Sequence, residues 1–381
     1  MMDLNKLFMP FEFAKGITLR NRVAMAPMTT WSGNADGTVS DEEIAYYRRR
    51  VTGVGLVITG CTHVQPNGIG FTDEFASYDD KFIPSLKRLA DAAKSGGAAA
   101  VLQIFHAGNK AIPSQVPHGD VISASPVATE ASSFAPSIVP REMSEAEILA
   151  VVKAFGDATL RAIRAGFDGV ELHGAHGFLL QNFLSPFFNR RMDRWGGSLE
   201  NRMRFPLAVV AEVKRVVDTH AERPFVVGYR ISPEESLDGG LRITDALELV
   251  DCLVEAGINY IHASVYNVLN ARPLDGSDGP LTTSMFIDRV AERVPLIAAG
   301  QLRTPKQAVE ALSMGLSLVA VGKGLVMNPG WVEDGSEGRD DKIDTTLDLQ
   351  NLSHLLLPPK LVRIIEAMPG WFPVEGMRET T

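Results

Sequence analysis

Short apolar segments recur along the chain and alternate with longer stretches whose apolar positions follow a helical period. Each apolar segment is too short for a helix, which is typical of a strand buried on both faces. The pattern predicts eight strands, at 22–27, 55–61, 98–105, 167–173, 225–231, 258–264, 294–299 and 317–321. Eight strands alternating with helices favour an α/β fold of the (β/α)8 TIM barrel type. An open doubly wound sheet is the alternative.

Start signals precede several helical stretches. Ser144 opens a capping box, and Thr304 precedes a proline at the first helical position. Thr244 stands ahead of the apolar stretch 246–256. Pro206 lies inside another helical pattern, so we expect a kink or a break there.

The chain length fits one barrel domain over 1–381, since such barrels need about 250 residues and accept insertions. Two segments fall outside the alternation. A long loop, 106–143, is rich in Pro, Ser and Gly, and a C-terminal tail begins at about 332. A connection as long as the first is typical of a lid or a binding loop.

Composition argues against several classes of protein. The net charge is −9 and no segment clusters Lys and Arg, so we expect no nucleic-acid partner. Two cysteines, Cys61 and Cys252, cannot form a disulfide framework, which indicates a reducing compartment. No run approaches the roughly 18 apolar residues of a membrane span, and the N-terminus lacks a signal-peptide pattern. These features predict a cytoplasmic protein without a membrane partner.

Two histidines, His173 and His176, stand where the fourth predicted strand ends, in the segment ELHGAHGFLLQNFLSPFFNRRMDRWGGSLENR at 171–202. The carboxyl ends of parallel strands are where α/β proteins place their chemistry. One alternative is that a histidine only caps local backbone. Another is a metal site with His106, but the helical spacing and the usual third ligand are missing.

Glycines follow the last two predicted strands, Gly300 after the seventh and Gly322 with Lys323 after the eighth. Backbone N–H groups beside glycine can approach an anion closely, and barrels of this type often hold a phosphate at this place. The alternative is that the glycines only make tight turns. A phosphate-binding lyase or isomerase is therefore one hypothesis.

Four motifs together resemble the old yellow enzyme family of flavin-dependent barrels. They are LRNRVAMAPMTTWSG near the start, LQIFHAGNK at 102–110, the segment 171–202, and Gly300 with the Gly322-Lys323 pair. The resemblance covers roughly 7–331 and depends on the spacing among the motifs. It implies bound FMN, NADH or NADPH as reductant, and a small-molecule acceptor such as an enone, a quinone or a nitro compound. A flavin-binding barrel of low turnover, acting as a redox partner or sensor, is the alternative.

The resemblance also implies which residues surround the FMN. The matching positions are Ala26, Pro27, Met28, Thr29, Cys61, Gln103, Arg230, Gly300, Gly322 and Lys323. In the family, the Thr29 position bonds flavin O4, and the Arg230 position faces N1 and O2, where charge gathers on reduction. Gln103 offers a donor and an acceptor to the pyrimidine edge. Cys61 has simple packing as its alternative.

The catalytic positions depart from the family at one place. His173 and His176 match the pair that donates hydrogen bonds to a substrate carbonyl, but Phe178 stands where the family usually has a tyrosine that donates a proton. Tyr266, in HASVYN after the sixth strand, is a candidate replacement donor, with a pocket wall as its alternative.

Two further positions differ from the family. Lys323 replaces the usual arginine of the phosphate site, which keeps the charge but loses the bidentate fork. Gly60 replaces a glutamate of related bacterial enzymes. Trp31 and the Trp371-Phe372 pair are candidates to line the pocket. The sequence is compatible with a homo-oligomer but does not name the oligomeric state, the substrate or the preferred nicotinamide.

Overall fold

The structure is a computed structural model and describes residues 4–131, 137–276 and 278–375. Its strands are β1 (Phe11–Ala14), β2 (Ile17–Leu19), β3 (Val23–Met25), β4 (Leu56–Ile58), β5 (Thr62–His63), β6 (Ala99–Phe105), β7 (Ile122–Ser123), β8 (Arg141–Glu142), β9 (Gly169–Gly174), β10 (Val226–Ile231), β11 (Tyr260–Ser264), β12 (Leu296–Ala299) and β13 (Leu318–Val321).

Its α-helices are α1 (Asn5–Phe8), α2 (Asp41–Arg50), α3 (Ile83–Lys94), α4 (Glu145–Ala165), α5 (Leu179–Leu184), α6 (Leu199–His220), α7 (Ile243–Glu255), α8 (Thr282–Val290), α9 (Pro305–Ser313), α10 (Lys323–Met327), α11 (Trp331–Ser336) and α12 (Pro359–Ala367). Among the described residues, no helix is both long enough and apolar enough to span a bilayer.

Eight parallel strands close into a barrel in the order β3-β4-β6-β9-β10-β11-β12-β13, with β13 pairing back to β3. They are the eight predicted strands, and each end lies within three residues of the prediction. The (β/α)8 barrel is confirmed. The short strand β5 adds to β6 outside this closed set.

Side chains along a barrel strand alternate between the barrel interior and the surrounding helices, as the period of two requires. On β9, Val170 and Leu172 belong to the large apolar cluster under the helices. Glu171, between them, instead hydrogen-bonds across the interior to residues of β6 and β11. His173 follows on the same inward face as Glu171, so the strand itself aims this histidine into the barrel mouth.

The amino end of the barrel is closed by the antiparallel hairpin β1–β2. Phe13 of the hairpin packs against Tyr260 of β11 with ring centroids 5.0 Å apart. Tyr260 in turn occupies the space that Gly228 leaves on β10. The apolar interior layer therefore lies at this end, and the polar interior lies toward the carboxyl end.

The predicted helix starts at Ser144 and Thr304 are confirmed, since both residues form complete capping boxes. The helix predicted after Thr244 begins slightly earlier, because α7 starts at Ile243. A kink or a break was predicted at Pro206, and the break is wrong. Helix α6 continues through this proline, which is buried among the apolar side chains of the helix, and tertiary packing outweighs the loss of one backbone hydrogen bond.

The long loop 106–143 carries structure of its own. Strands β7 and β8 pair in parallel near its ends, and the helical turn Gly108–Lys110 follows β6 directly. Residues 132–136 of this loop lie outside the described part of the chain. The C-terminal tail contains α12, and a bridge joins Leu347 to Val374 within it. The tail contacts the barrel mouth through Trp371, whose ring packs against Trp31.

We predict that Gly228→Ala destabilises the barrel interior. A Cβ at this position would lie 2.0 Å from Cζ of Tyr260, so the ring must move. Overpacking of this kind costs about 1 to 3 kcal/mol, which urea unfolding can measure. Gly276→Ala is the control, because a Cβ there meets no atom within 4 Å, and its expected effect is below about 0.5 kcal/mol. Equal effects of the two substitutions would contradict this packing argument.

Candidate active site

A cavity of about 270 Å³ opens at the carboxyl end of the barrel. It is lined by Pro27, Met28, Thr29, Trp31, Cys61, Phe71, Gln103, His173, His176, Phe178, Arg230 and Trp371. Eight of these are residues that the sequence assigned to the site, and they come from five separate strands or strand ends. We call this space the inner cavity. Trp31 and the Trp371-Phe372 pair were also predicted to line the pocket. Trp31 and Trp371 do so, whereas Phe372 does not line this cavity.

A buried carboxylate supports the floor of the inner cavity. Glu171 accepts hydrogen bonds from Gln103 Nε2 at 2.7 Å, from the Tyr260 hydroxyl at 3.0 Å and from His262 Nδ1 at 3.0 Å. Burial alone would raise the pKa of Glu171, but His262, Arg230 and Gln103 outweigh it and lower the pKa. Glu171 is therefore ionised, and the amide group of Gln103 is held with its nitrogen toward this charge.

The orientation of His173 follows from its own loop. The backbone N–H of Ala175 donates to His173 Nδ1 at 3.4 Å, so Nδ1 acts as an acceptor and the ring proton lies on Nε2. His173 is 3% exposed, and burial together with the neighbouring His176 and Arg230 lowers its pKa well below the usual range. The ring is thus a neutral donor.

Two serines hold His176 from neighbouring strands. Its backbone N–H donates to Ser232 Oγ at 3.0 Å, and its Nε2 lies 2.7 Å from Ser264 Oγ. Arg230 Nη2 donates to the same Ser264 oxygen at 3.0 Å. If His176 Nε2 carried the ring proton, Ser264 would accept twice and its own proton would have no partner among the described residues. The arrangement therefore favours a serine that donates to Nε2 and a His176 proton on Nδ1.

His176 borders open space, yet protein encloses the rest of its ring. This desolvation, with the charges of Arg230 and Lys110, holds its pKa well below the usual range. The rings of His173 and His176 lie 5.1 Å apart at a steep angle. The mouth of the barrel consequently presents two neutral imidazole N–H donors beside each other, which is suited to binding one carbonyl or enolate oxygen.

The inner cavity also fits the flavin that the motifs imply. Arg230 is only 7% exposed and its Nε has no hydrogen-bond partner among the described residues. A buried guanidinium N–H without a partner indicates a ligand atom at this place. Cys61 has a different character, because burial and Glu74 raise the pKa of its thiol far above the usual range. Burial therefore disfavours the thiolate, which is the nucleophilic form of cysteine.

Aromatic side chains form one side of the inner cavity. Phe178 contacts His173 with centroids 4.9 Å apart and packs on Phe105 at the same distance. Trp31 packs edge-on against Phe71 at 5.5 Å and against Trp371 of the tail at 5.6 Å. These rings provide an apolar surface on which a planar ring system can lie.

Four of the predicted cofactor residues lie beside the inner cavity without lining it. Gly322 is in contact distance of Ala26 and Met28, and Lys323 lies under the ring of Phe372 at 5.6 Å. A Cβ at Gly300 would meet the Val265 carbonyl at 2.3 Å. Close packing therefore already explains that glycine, while Gly322 lies next to the end of β3 and Lys323 follows it.

Tyr266 and His106 are placed apart from the histidine pair. Tyr266 is 81% exposed and lines neither the inner cavity nor the second cavity that adjoins it, which is described below. Its position therefore gives no support for a role as proton donor. His106 accepts from the Gly108 backbone and contacts Asn67 with its other nitrogen. Both of its nitrogens thus have local partners, which leaves none for a metal shared with His173.

A second space of about 680 Å³, the outer cavity, adjoins the first through Phe71, His176 and Phe178. Its other lining residues are Gly70, Asn109, Lys110, Ala128, Thr129, Glu130, Ala131, Gly177, Gln181, Phe187, Phe188, Ser232, Glu234, Glu235, Ser236 and Leu237. Part of the long loop therefore borders the opening of the site, as expected for a binding loop.

Sequence reasoning missed several residues of this site. Ser232 and Ser264 follow or end their strands, but a lone serine carries no signal in a single sequence. Lys110 was visible only as the last letter of HAGNK, and Phe71 lies in no recognisable motif. Only the closed barrel brings these side chains to the histidines.

Comparison with known proteins identifies the family of the chain. The model of the NADH:flavin oxidoreductase / NADH oxidase family matches residues 6–342, and the chain belongs to this family, that of old yellow enzyme, as an NAD(P)H-dependent flavin oxidoreductase with FMN as cofactor.

Two relatives and one solved structure illustrate the similarity. The probable NADH-dependent flavin oxidoreductase YqiG of Bacillus subtilis is 43% identical over 369 residues, which cover 96% of this chain and 97% of the relative. An NADPH dehydrogenase of Geobacillus thermodenitrificans is 38% identical over 329 residues, covering 85% and 92%. Morphinone reductase in complex with tetrahydroNAD superposes with a TM-score of 0.75 at 28% identity, covering 87% and 90%.

We predict that Ser264→Ala releases the ring of His176. Without the hydroxyl, Nε2 loses its partner and the ring proton can occupy either nitrogen. A phenol, whose oxygen resembles an enolate, should then bind more weakly by about 1 kcal/mol, or roughly fivefold. A phenol bound beside the flavin is expected to give a long-wavelength charge-transfer band, and titration of this band measures the affinity. ¹⁵N NMR of labelled histidine reports the tautomer. Ser264→Thr keeps the hydroxyl and is the matched control; a wild-type tautomer in Ser264→Ala would refute the assignment.

Proposed function

We propose that this flavin oxidoreductase reduces an enone, an alkene conjugated to a carbonyl group, with NADH or NADPH as reductant. The proposal rests on one observation above all. The rings of His173 and His176 lie 5.1 Å apart in the inner cavity, and this geometry supports a role for them as two neutral donors to one acceptor beside the flavin. Such a pair is suited to the carbonyl oxygen of an enone, on which negative charge develops during hydride addition.

Different residues around the inner cavity would contact different parts of the cofactor. Pro27, Met28 and Thr29 would border the ring system, and Gln103 would offer its amide to the polar edge. Arg230 would place its unpartnered N–H and its charge at that edge, where it favours the reduced form. When bound, FMN supplies the hydride that it has taken from the nicotinamide.

The histidines act by binding and orienting the acceptor. Each N–H would donate to the carbonyl oxygen, which draws electron density from the alkene and stabilises the enolate that follows. Because the pKa of each ring is far below the usual range, the rings do not hand a full proton to the oxygen at neutral pH. One such donor contributes about a hundredfold to a thousandfold in rate.

Quinones and nitro compounds carry oxygens that the same donors could bind, so they are the alternative acceptors. The decisive experiment begins with the purified protein. Its flavin is released and identified, and the bound flavin is reduced with NADH or NADPH. The reduced protein is then mixed with cyclohexenone, a quinone or a nitroarene, and flavin reoxidation is recorded. Reoxidation by the quinone alone would contradict enone reduction, and slow reoxidation by every acceptor would favour a redox partner or sensor.

We predict that His173→Ala and His176→Ala each leave FMN bound and reducible by NAD(P)H. Neither ring is required for the cofactor, but each supplies one of the two donors to the acceptor oxygen. The rate of reoxidation by cyclohexenone should fall about a hundredfold or more in each variant. Phenol binding should weaken in parallel. A double variant that binds phenol like the wild type would show that the pair is not an oxyanion site.

We also predict that Lys323→Ala lowers the affinity for FMN. A charge-assisted contact to the FMN phosphate is worth on the order of 1 to 3 kcal/mol. The measurement is the dissociation constant of FMN for the stripped protein, followed by quenching of flavin fluorescence. Lys306→Ala, an exposed lysine of the adjacent helix α9, is the matched control. If both variants bind FMN equally well, backbone groups alone hold the phosphate.

A further inference from the structure

Lys110 reaches from one barrel loop to the loop that carries His176. It ends the helical turn Gly108–Lys110 after β6, and its Nζ donates to the His176 carbonyl at 2.6 Å. A Cβ at Gly177 would approach Nζ to 3.0 Å, so glycine at this position leaves the ammonium room. The lysine is thereby held against the turn between the two residues His176 and Phe178.

The ammonium group also lies close to the ring that replaces the expected tyrosine. Lys110 Nζ is 5.8 Å from the centroid of the Phe178 ring, and both side chains line the outer cavity together with His176. Phe178 and His176 belong to the inner cavity as well. Among the described lining residues of the two cavities, Lys110 is the only cationic side chain apart from Arg230. It lines the outer cavity, next to Phe178, which both cavities share.

The surroundings suit Lys110 to releasing a proton. Its side chain is exposed where it borders the outer cavity, but protein encloses the remaining sides, and this desolvation lowers its pKa. Glu235 opposes the shift through its negative charge. That carboxylate is itself held by Gln181 at 2.8 Å and by Ser185 at 2.6 Å, so it is not available as a direct partner that would fix the ammonium.

We propose that Lys110 donates the proton to the α-carbon of the reduced alkene, the task for which a phenol at position 178 is missing. The inference rests on the proposed enone reduction. The position of Lys110 suits this role because its ammonium group contacts the backbone of His176, one of the two histidines that would hold the carbonyl, and lies beside the Phe178 ring. Lys110 also contacts the outer cavity, through which water can restore its proton.

The proton transfer balances without any further reactant. Hydride supplied by the reduced cofactor would form a C–H bond at the β-carbon, and the alkene electrons would move toward the carbonyl to give an enolate. The enolate α-carbon then forms a C–H bond with a proton of Lys110, whose N–H electron pair stays on nitrogen. The neutral amine regains a proton from water in the outer cavity.

The competing explanation is that Lys110 only clamps the backbone of His176. Lys110→Met removes both the proton and the clamp, whereas Lys110→Arg keeps a cation and a donor but holds its proton too tightly to release it. The two roles therefore separate in the arginine variant. Phenol titration reports whether the histidine pair remains intact, independently of any turnover.

The experiment mixes each variant, reduced by NADH, with cyclohexenone and with a quinone. We expect both variants to lose at least about tenfold in the cyclohexenone rate, since general acid help is usually worth about a hundredfold or more. The quinone rate should change less than twofold, and phenol should bind Lys110→Arg as it binds the wild type. Adding Phe178→Tyr to Lys110→Arg should restore the cyclohexenone rate, because it supplies a phenol at the family's position.

Lys94→Met is the matched control, because Lys94 also donates to a backbone carbonyl at 2.6 Å, that of Gly166, outside both cavities. A full cyclohexenone rate in Lys110→Arg or Lys110→Met would overturn the proposal. So would a loss of phenol binding in Lys110→Arg that matches its loss of rate, since that result assigns the clamp alone. A wild-type protein that never reduces cyclohexenone would instead refute the proposed function and is recognised before any variant is made.

Discussion

The buried charge of Glu171 is the constraint on which the rest of the site depends. An ionised carboxylate inside a barrel is costly unless donors surround it, and removing one partner of such a charge typically costs 3 to 5 kcal/mol. Here Gln103, Tyr260 and His262 reach it from strands on either side. Gly228 leaves the space for the Tyr260 ring. The carboxylate thus ties the interior faces of β6, β9 and β11 together.

This network extends to the barrel mouth through strand geometry. Inward positions on a strand recur every two residues, so His173 stands above Glu171 on β9 and Ser264 stands above His262 on β11. In the parallel register, Arg230 of β10 pairs with His173 on one side and with His262 on the other. The lower polar layer, with Glu171 and His262, therefore supports the upper layer, with His173 and Ser264. The groups that would contact flavin and acceptor rest on side chains that already have hydrogen-bond partners.

The sequence predicted the strands and the histidine pair, which depend on local pattern. It did not predict the residues that only the closed barrel brings next to the histidines. The eight strands were visible because buried parallel strands are continuous apolar runs, and the histidine pair followed from its place at a strand end. Pro206 was misjudged because burial of the helix outweighs a local rule. Tyr266 was close to the site along the chain but points outward. Ser264 and Lys110 contact His176 across sequence separations of 88 and 66 residues, which no local pattern can reveal.

Different contacts fix the positions of the two histidines. Substitutions elsewhere in the chain can therefore affect one histidine and not the other. His173 belongs to β9 and is positioned by the ladder hydrogen bonds of the strand. His176 lies beyond the strand with φ of +61°, a conformation that costs a residue other than glycine about 1 to 3 kcal/mol. Contacts from Ser232, Ser264 and Lys110 offset that cost. The second donor is therefore a product of three neighbouring loops and strand ends, and substitutions far along the chain can displace it while leaving His173 in place.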